Sequence, residues 1–330
     1  MENQEVIEVI KGKRILYIAT KNSDYIRIQQ EIKLIEKYAL KSTIIVSKEK
    51  SYPKRIFDVY KNIIKVHFEE YDTIFVGFMA QMIVPFVRWK FKRKELIVDF
   101  FISIFDTLVD DRKKVKNGSV FAKFIHKVDQ ITIANADYIV CDTNSHGKYF
   151  AEEFGVPISK FHTLYLEADI TFYHPMKIER PKMWKDKFLV LFFGSILPVQ
   201  GVEVILEAID KLKEEKQIHF LVIGPINKKN QKISSDNVTY IDWLSQENLA
   251  KYISYADLCL AGHFSSEVNK AKRTIPGKAY IYDAMGKAMV LGDTLANHEL
   301  FREDKRHSFV PVGSSEKLAE IISEKRKQIP

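Results

Sequence analysis

Residues able to do chemistry cluster in the second half of the chain, where glycine turns and basic residues follow apolar runs. Gly194 follows the apolar residues 189–193, and Arg273 and Lys278 flank the sequence Thr-Ile-Pro-Gly ahead of a helical pattern. A glycine lets the backbone approach a phosphate without a Cβ in the way, and a helix N-terminus presents unpaired N–H groups and a positive dipole end. This order predicts a site for a nucleotide-type ligand.

The basic run between residues 269 and 278 is the strongest partner for that glycine turn. It carries four basic residues just before a helix, and Pro276 suits a helix start. An isolated basic run is as often a solvated surface, and a single glycine turn is as often structural. Here the run lies between strand-like segments and precedes Ala-Met-Gly at 284–286, so we interpret it as a phosphate clamp.

Composition places the chain among ordinary globular proteins. Its 330 residues favour two domains, and 46% hydrophobic with 28% charged residues exclude a disordered or fibrous chain. The net charge of +8 suits an anionic partner but does not choose one. Cys141 and Cys259 lie in apolar runs and predict buried, reduced thiols. The acidic start and the lack of a long apolar run predict a cytoplasmic location.

Strand-like and helical patterns alternate along the whole chain, which predicts an α/β protein with parallel sheets covered by helices on both faces. In the first half the predicted strands are 14–19, 43–46, 73–76, 96–99 and 138–141, and the predicted helices are 27–38, 56–67 and 119–136. In the second half the strands are 188–193, 219–223, 238–241, 258–261 and 288–291, and the helices are 201–214, 245–254, 279–286 and 315–325.

A polar, proline-containing segment separates the two series. Pro175 and Pro181 interrupt the pattern there, so we place a linker between them and predict two doubly wound, Rossmann-like domains, 1–175 and 176–330, facing each other across a cleft.

Several of these stretches carry a family resemblance. Residues 194–202, 273–278 and 284–290 resemble the first turn and the donor-site motifs of the group 1 (family 4) retaining glycosyltransferases of the GT-B fold. The first half is similar too, in the stretches 99–107, 142–146, 149–150 and 153–157. The resemblance therefore covers nearly the whole chain.

That resemblance implies a nucleotide-sugar site in the second domain, an acceptor site in the first, and transfer without an obligatory metal or a resident cofactor. The donor would be UDP- or GDP-linked. Positive groups must then stabilise the leaving diphosphate, and we expect Arg273 and Lys278 to do so. The expected donor-side residues are Gly194, Ser195, Gln200, Gly224, Trp243, Arg273, Ile275, Pro276 and Lys278.

Four positions depart from the family pattern. Its usual basic pair aligns with Ser195 and Gln200, and its two glutamates align with Arg273 and Ile281. Isoleucine cannot accept the hydrogen bond that the second glutamate normally accepts from ribose hydroxyls. Two interpretations stay open: Arg273 and Lys278 have taken over the diphosphate, or the chain is a weak or inactive member.

The acceptor side is expected at the carboxyl ends of the first domain's strands, where ligands bind in open α/β sheets. Asp106 could orient an acceptor hydroxyl or act as its base, and a capping or salt-bridging carboxylate is the alternative. The acceptor-side candidates are Lys21, Asn22, Tyr25, Asp106, Thr107, Asp110 and Arg112.

The segment from Phe86 to Lys94 interleaves aromatic residues with five basic ones. This composition is typical of a segment lying on an anionic membrane, and equally of an amphipathic helix with its lysines in water. No nucleic-acid-binding motif accompanies it, so we do not expect a nucleic-acid partner.

The residues and the resemblance together predict a glycosyltransferase of the hexosyl type. It would move a sugar to a hydroxyl of a lipid-linked or surface glycan, and the enzyme would be a peripheral protein on the inner face of the membrane. Two alternatives remain at this point: a non-catalytic GT-B protein that stabilises a partner glycosyltransferase, and a nucleotide-sugar epimerase of the same fold.

Overall fold

The computed structural model describes residues 3–226 and 232–328. The chain forms two compact units, Met1–Glu167 and Ala168–Pro330. The predicted domain boundary at 175/176 lies beyond this division. The chain as far as Tyr165 is tied to unit 1, since the carbonyl groups of Leu164 and Tyr165 accept hydrogen bonds from Arg27 and Gln30.

Unit 1 is a parallel sheet of six strands in the order β2-β1-β3-β4-β5-β6. Its strands are β1 (Arg14–Ala19), β2 (Lys41–Val46), β3 (Thr73–Val76), β4 (Glu95–Asp99), β5 (Tyr138–Cys141) and β6 (Phe161–Thr163). Five consecutive buried residues in β1 show why the strand is apolar throughout, because helices cover both faces of the sheet.

Two helix layers cover this sheet. The helices of unit 1 are α1 (Gln4–Ile10), α2 (Ile26–Tyr38), α3 (Tyr52–Ile64), α4 (Val84–Val87), α5 (Val120–Ala134) and α6 (Asn144–Phe154). Helices α3 to α6 share one core with the even-numbered residues of β1 and β3, whereas α1 and α2 share another with the odd-numbered ones. Since side chains alternate along a strand, the two groups of helices lie on opposite faces.

A buried charged group ties the first unit together. Arg27 of α2 donates to Asp99 at the end of β4 (Nη2 to Oδ1, 2.9 Å) and to the backbone carbonyl of Leu164. Tyr17 of β1 donates to Glu31 of α2 (2.5 Å). Burial, and then the charge of Asp99, raise the pKa of Glu31 well above its usual value, while Arg27, whose Nε lies 3.5 Å from Glu31 Oε1, opposes the rise.

Unit 2 repeats the plan with the order β12-β11-β10-β7-β8-β9, again parallel. Its strands are β7 (Phe188–Phe193), β8 (Ile218–Ile223), β9 (Val238–Ile241), β10 (Leu258–Gly262), β11 (Met289–Gly292) and β12 (His307–Val310). Its helices are α7 (Val202–Lys211), α8 (Gln246–Tyr255), α9 (Gly277–Ala284), α10 (Asn297–Leu300) and α11 (Ser315–Lys327).

Two glycines let the loops after β7 and β8 meet. A Cβ on Gly224, which follows β8, would lie 2.1 Å from the carbonyl oxygen of Gly194, which follows β7. Both glycines also have positive φ, +154° for Gly194 and +141° for Gly224, a region that other residues rarely adopt. The close approach of the two backbones therefore requires glycine at position 224.

The predicted fold class is confirmed, and the strands 14–19, 73–76, 138–141, 188–193 and 238–241 have the observed bounds. Helix α3 starts at Tyr52 instead of residue 56, because Pro53 suits the first helical turn. The prediction missed α1, α4, α6 and α10 together with β6 and β12. Both missed strands lie at sheet edges, where short segments with polar residues form strands by pairing with one neighbour only.

No helix in the described ranges has the length and apolar character that crossing a bilayer requires.

Replacing Arg27 with methionine tests the buried ion pair. The change leaves the Asp99 carboxylate buried without its partner, so we expect the free energy of unfolding to fall by about 3–5 kcal/mol. Lys33→Met on the exposed side of the same helix is the control and should stay within about 0.5 kcal/mol. Chemical denaturation measures the free energy of unfolding of both variants. An equal decrease in the two would contradict a structural role for the Arg27–Asp99 pair.

A pair of alanine substitutions tests the glycine contact. Gly224→Ala should lower the free energy of unfolding by about 1–3 kcal/mol, because the new Cβ meets a backbone oxygen and the φ is strained. Gly277→Ala is the matched control, since a Cβ at this helical position would meet nothing within 4 Å. In thermal unfolding, Gly277→Ala should have the stability of the wild type or a higher one. If Gly224→Ala also unfolds at the wild-type temperature, the contact between the two backbones is refuted.

Candidate functional site

The carboxyl edge of the unit 2 sheet brings together the residues that follow β7, β8 and β10. The chain leaves β7 toward β8 on one side and later returns to β10 on the other, so the strand order reverses between β7 and β10. In open α/β sheets ligands bind at such a switch point. Gly194, Gly224 and Gly262 end or follow these three strands, and at Gly224 and Gly262 a Cβ would come within 2.1 and 2.6 Å of neighbouring atoms.

The amine of Lys278 lies at this switch point. It donates a hydrogen bond to the side-chain carbonyl of Gln200 and lies 4.9 Å from the ring centroid of Phe192. A Cβ on Gly262 would lie 3.0 Å from the amine, and a Cβ on Gly194 would lie 3.4 Å from it. Glycine on both neighbouring strands therefore makes room for the lysine.

Lys278 is 6% exposed, which is unusual for a lysine. Burial lowers the pKa of its amine from 10.5 to about 7. A group with this pKa is poised between its neutral and charged forms near physiological pH, and a nearby anion would favour the charged form. The site can therefore offer either a neutral donor or a positive charge.

A loop contact positions the segment that carries Lys278. His263, directly after β10, is buried in the left-handed conformation (φ 59°), and its Nδ1 donates to the backbone carbonyl of Thr274 at 3.0 Å. The Thr274 hydroxyl donates to the carbonyl of Lys270 at 3.0 Å. These bonds hold the turn before α9 against the end of β10, so Lys278 enters the sheet edge from the first turn of α9.

The structure brings some of the predicted donor-side residues together. Gly194, Gln200, Gly224 and Lys278 form one group at the edge of β7 and β8. Ser195 is exposed one residue beyond Gly194.

Other donor-side candidates lie apart from that group or below the surface. Arg273 is half-buried at the end of the 3-10 turn Asn269–Lys272, ahead of α9. Trp243 is 77% exposed in the loop after the edge strand β9. Ile275 and Pro276 are buried, so their side chains anchor the start of α9.

The structure also shows the two positions at which the family pattern usually has glutamate. Arg273 stands at one, and Ile281 stands at the other, in α9. Asp283, two residues further, faces the last strand: its Oδ1 lies 3.4 Å from Arg306 and 3.6 Å from His307. This carboxylate therefore serves contacts with β12.

No motif pointed to Phe192 or Gly262. The Phe192 ring contacts the Lys278 amine, and any side chain at position 262 would crowd that amine. A signal was present for Gly262, because a glycine stands at the carboxyl end of β7, β8 and β10 alike. Phe192 looks like any residue of an apolar strand, so only the register of the sheet shows its place under the lysine.

The carboxyl edge of unit 1 carries an aromatic cluster. Tyr25 lies 5.2 Å from Phe78 and 6.2 Å from Phe101, measured between ring centroids. The amine of Lys21 lies 5.8 Å from the Tyr25 ring and 5.7 Å from the Phe78 ring. Burial raises the pKa of Tyr25 to about 12, which keeps its hydroxyl protonated. The two acceptor-side candidates Lys21 and Tyr25 thus belong to one half-buried surface.

Asn22 stands between these two candidates, where its side-chain amide donates to Asp24 at 3.2 Å.

Asp106, Thr107 and Asp110 lie in the π-helical turn Asp106–Asp111, which Arg112 follows. The Asp106 side chain is fully buried, and its backbone amide donates to the Ser103 hydroxyl at 2.9 Å. A role as acceptor base would therefore require this turn to open.

Asp129 of α5 holds that turn from beneath. Its carboxylate accepts from the Ser103 hydroxyl (2.7 Å), from the backbone amide of Phe105 (2.8 Å) and from the side-chain amide of Gln81 (2.9 Å). Burial raises the pKa of Asp129, and these hydrogen bonds oppose the rise. No sequence pattern singled out Asp129, because its partners come from two segments distant in sequence, residues 103–105 and the turn that contains Gln81.

Comparison with known proteins agrees with the family resemblance. Residues 187–325 match the family described as Glycosyl transferases group 1. A relative from Klebsiella pneumoniae, an uncharacterized 41.2 kDa protein in the cps region, is 22% identical over 204 residues. That match covers 58% of this chain and 54% of the relative, so it spans about half the length of each.

Solved structures share the fold of almost the entire chain. Anabaena HepE, solved in complex with UDP, is 13% identical with a TM-score of 0.65, covering 96% of this chain and 90% of HepE. Sucrose-phosphate synthase from Thermosynechococcus elongatus is 12% identical with a TM-score of 0.66, covering 95% of this chain and 89% of that one. Residues 187–325 thus resemble the group 1 glycosyl transferases. The chain as a whole has the GT-B fold.

Proposed function

We propose that this protein transfers a sugar from a nucleotide diphosphate sugar to a hydroxyl acceptor, with the donor bound at the carboxyl edge of the unit 2 sheet. The observation that carries the proposal is the buried Lys278 amine between Gly194 and Gly262 at the strand switch point. Burying a lysine costs free energy, and the hydrogen bond to the neutral Gln200 carbonyl supplies no counter-charge, so an anionic ligand would stabilise this amine.

The diphosphate of the donor would be held by charge and by backbone. Phosphate oxygens near the amine favour its protonated form, so Lys278 becomes a cation as the ligand binds. Its hydrogen bond to Gln200 then holds the ammonium group in place. The N-terminus of α9 adds N–H donors at the same edge, and Arg273 adds a second charge ahead of it.

Transfer needs this positive charge most when the diphosphate leaves. Stabilising the charge that develops on a leaving group is the largest electrostatic contribution an enzyme makes. We therefore assign the catalytic contribution of unit 2 to Lys278 and Arg273, without a metal ion, and we take the reaction to proceed with retention, as the family resemblance implies. A uridine nucleotide is the first donor to test, because HepE was solved with both UDP and UDP-glucose.

For the acceptor we propose a lipid-linked or surface glycan, taking up a hexosyl unit. Support comes from the relative in the Klebsiella pneumoniae cps region and from the Tyr25 and Lys21 surface of unit 1, because aromatic faces and a cation suit a sugar ring with an anionic group. We further propose that residues 86–94 attach the protein to the inner face of the membrane from the cytoplasm.

One observation favours a second candidate function. Ile281 stands where a ribose-binding glutamate is usual, and the Gln200 carbonyl is already bonded to Lys278. A protein that keeps the fold but binds and stabilises a partner glycosyltransferase would tolerate both features. Donor binding without donor hydrolysis or transfer would favour this alternative.

Titration calorimetry with UDP, GDP and other nucleoside diphosphates tests the donor site. At about pH 8 the amine of free Lys278 is mostly neutral, so binding should take up most of one proton, seen as heats that differ between buffers of different ionisation enthalpy. Lys278→Met should abolish the uptake and weaken binding by about 1.5–3 kcal/mol. Lys272→Met, an exposed lysine in the preceding turn, is the control.

Two results would contradict the donor proposal. One is the absence of binding across the nucleotide panel. The other is equal affinity and equal proton uptake in the wild type and in Lys278→Met, which would place the ligand elsewhere.

The stability of the chain should also depend on Lys278 and pH. The unfolded lysine titrates near 10.5 and the folded one near 7, so between these values the unfolded state binds more protons. Stability therefore rises with pH across this window and is constant below it. In Lys278→Met the free energy of unfolding, measured by urea denaturation from about pH 6.5 to 10, should rise less steeply with pH than in the wild type. An unchanged slope would show that the amine is not buried in solution.

A further inference from the structure

One helix layer of unit 1 exposes large apolar side chains that the opposite layer does not. On α3, Phe57 is 74% and Ile64 is 67% exposed. On the other layer, the exposed positions of α1 and α2 are polar or charged throughout the described residues. Single exposed apolar residues are ordinary, but a one-sided concentration marks an interaction surface.

The exposed apolar residues continue onto the next two elements. Phe86 and Trp89, in α4 and the turn after it, are 60% and 68% exposed. At the start of α5, Val120, Phe121 and Phe124 are 87%, 54% and 61% exposed. Aromatic residues form most of this set, and their rings suit the boundary between lipid headgroups and acyl chains.

These elements are neighbours in one layer. Tyr60 of α3 donates to the backbone carbonyl of Met82, just before α4, at 2.7 Å, and α4 packs against α5. The buried sides of α3, α4 and α5 contact the same face of the sheet. Their exposed residues therefore point away from that face, and we call the surface they form the α3–α5 face.

Basic residues accompany the apolar ones in residues 86–94, in the start of α5 and in the loop that leads into it. Residues 86–94 contain five lysines and arginines and no acidic residue. Residues 112–127 contain six and again no acidic residue, and all six are exposed. The acidic residue that follows, Asp129, is buried beneath the turn at 103–105. Charge of one sign next to exposed aromatic rings is complementary to an anionic lipid surface.

We infer that the α3–α5 face docks on an anionic lipid bilayer, with Phe121, Phe124 and Trp89 at the headgroup boundary and the accompanying basic residues against lipid phosphates. The inference extends the attachment proposed for residues 86–94 to a second segment, residues 112–127. The inference rests on the proposed function in one respect: a lipid-linked acceptor would explain why the protein docks on a membrane. Binding to vesicles can be measured without any nucleotide.

Vesicle co-sedimentation of the full chain tests the charge part of the inference. The wild type should bind phosphatidylcholine vesicles that contain about 30% phosphatidylglycerol, bind pure phosphatidylcholine far more weakly, and be released by about 0.5 M salt. Replacing Lys114, Lys116 and Lys123 by alanine should weaken partition about 100-fold. The matched control replaces Lys11, Lys33 and Lys37 on the opposite layer, changes the net charge equally and should bind like the wild type.

Aromatic substitutions test the apolar part. Phe121→Ser with Phe124→Ser should weaken partition about tenfold, while the thermal unfolding midpoint stays unchanged because both side chains are exposed. Quenching of tryptophan fluorescence by brominated lipids should disappear in Trp89→Phe, although Trp184 and Trp243 remain.

Three results would overturn the inference. The first is an equal loss of vesicle partition in the two triple lysine variants. The second is tight binding to uncharged vesicles, and the third is binding to RNA without binding to any vesicle. Failure of nucleotide binding in calorimetry, with vesicle binding intact, would overturn the donor proposal and leave this one standing.

Discussion

The close approach of backbone at the carboxyl edge of β7, β8 and β10 is the constraint on which the arrangement around Lys278 depends. Gly224 touches the carbonyl of Gly194, and Gly262 leaves room for an amine that a methyl group would crowd. Only because these strands end in glycine can Lys278 lie under the sheet edge next to Gln200. The lowered pKa of its amine follows from that burial, so geometry and electrostatics at this edge have one origin.

The first unit uses buried charge differently. Arg27 joins α2 to the end of β4 and to the backbone after β6, so elements that are distant in sequence are held at one sheet edge. Tyr25 and Lys21 precede Arg27 closely in the chain, and their place in the aromatic cluster depends on the position of α2. The buried pair therefore supports the aromatic cluster, and Arg27 also contacts it, since its guanidinium lies 5.4 Å from the centroid of the Phe101 ring.

Unit 1 thus has two surfaces with different chemistry. The carboxyl edge of its sheet presents rings and a single lysine, as a site for a small polar group would. The α3–α5 face presents exposed aromatic residues among many cations, as a lipid-binding surface would. Helix α5 links them, since Asp129 holds the turn that contains Asp106 while Phe121 and Phe124 face outward.

The amino-acid sequence by itself determined the fold class and led to a candidate site. Apolar, β-branched and aromatic runs specify strands, and Gly77 and Gly194 end two of them; β1, β3, β5, β7 and β9 were predicted at their observed bounds. Motif spacing likewise led to Gly194, Gln200 and Lys278. The tertiary structure alone decided that Lys278 is buried over Phe192, that Asp106 is buried and held through Asp129, and that residues 112–127 share a face with residues 86–94. The physical reason is that burial and charge proximity arise from contacts between elements far apart in the chain, which no local pattern encodes.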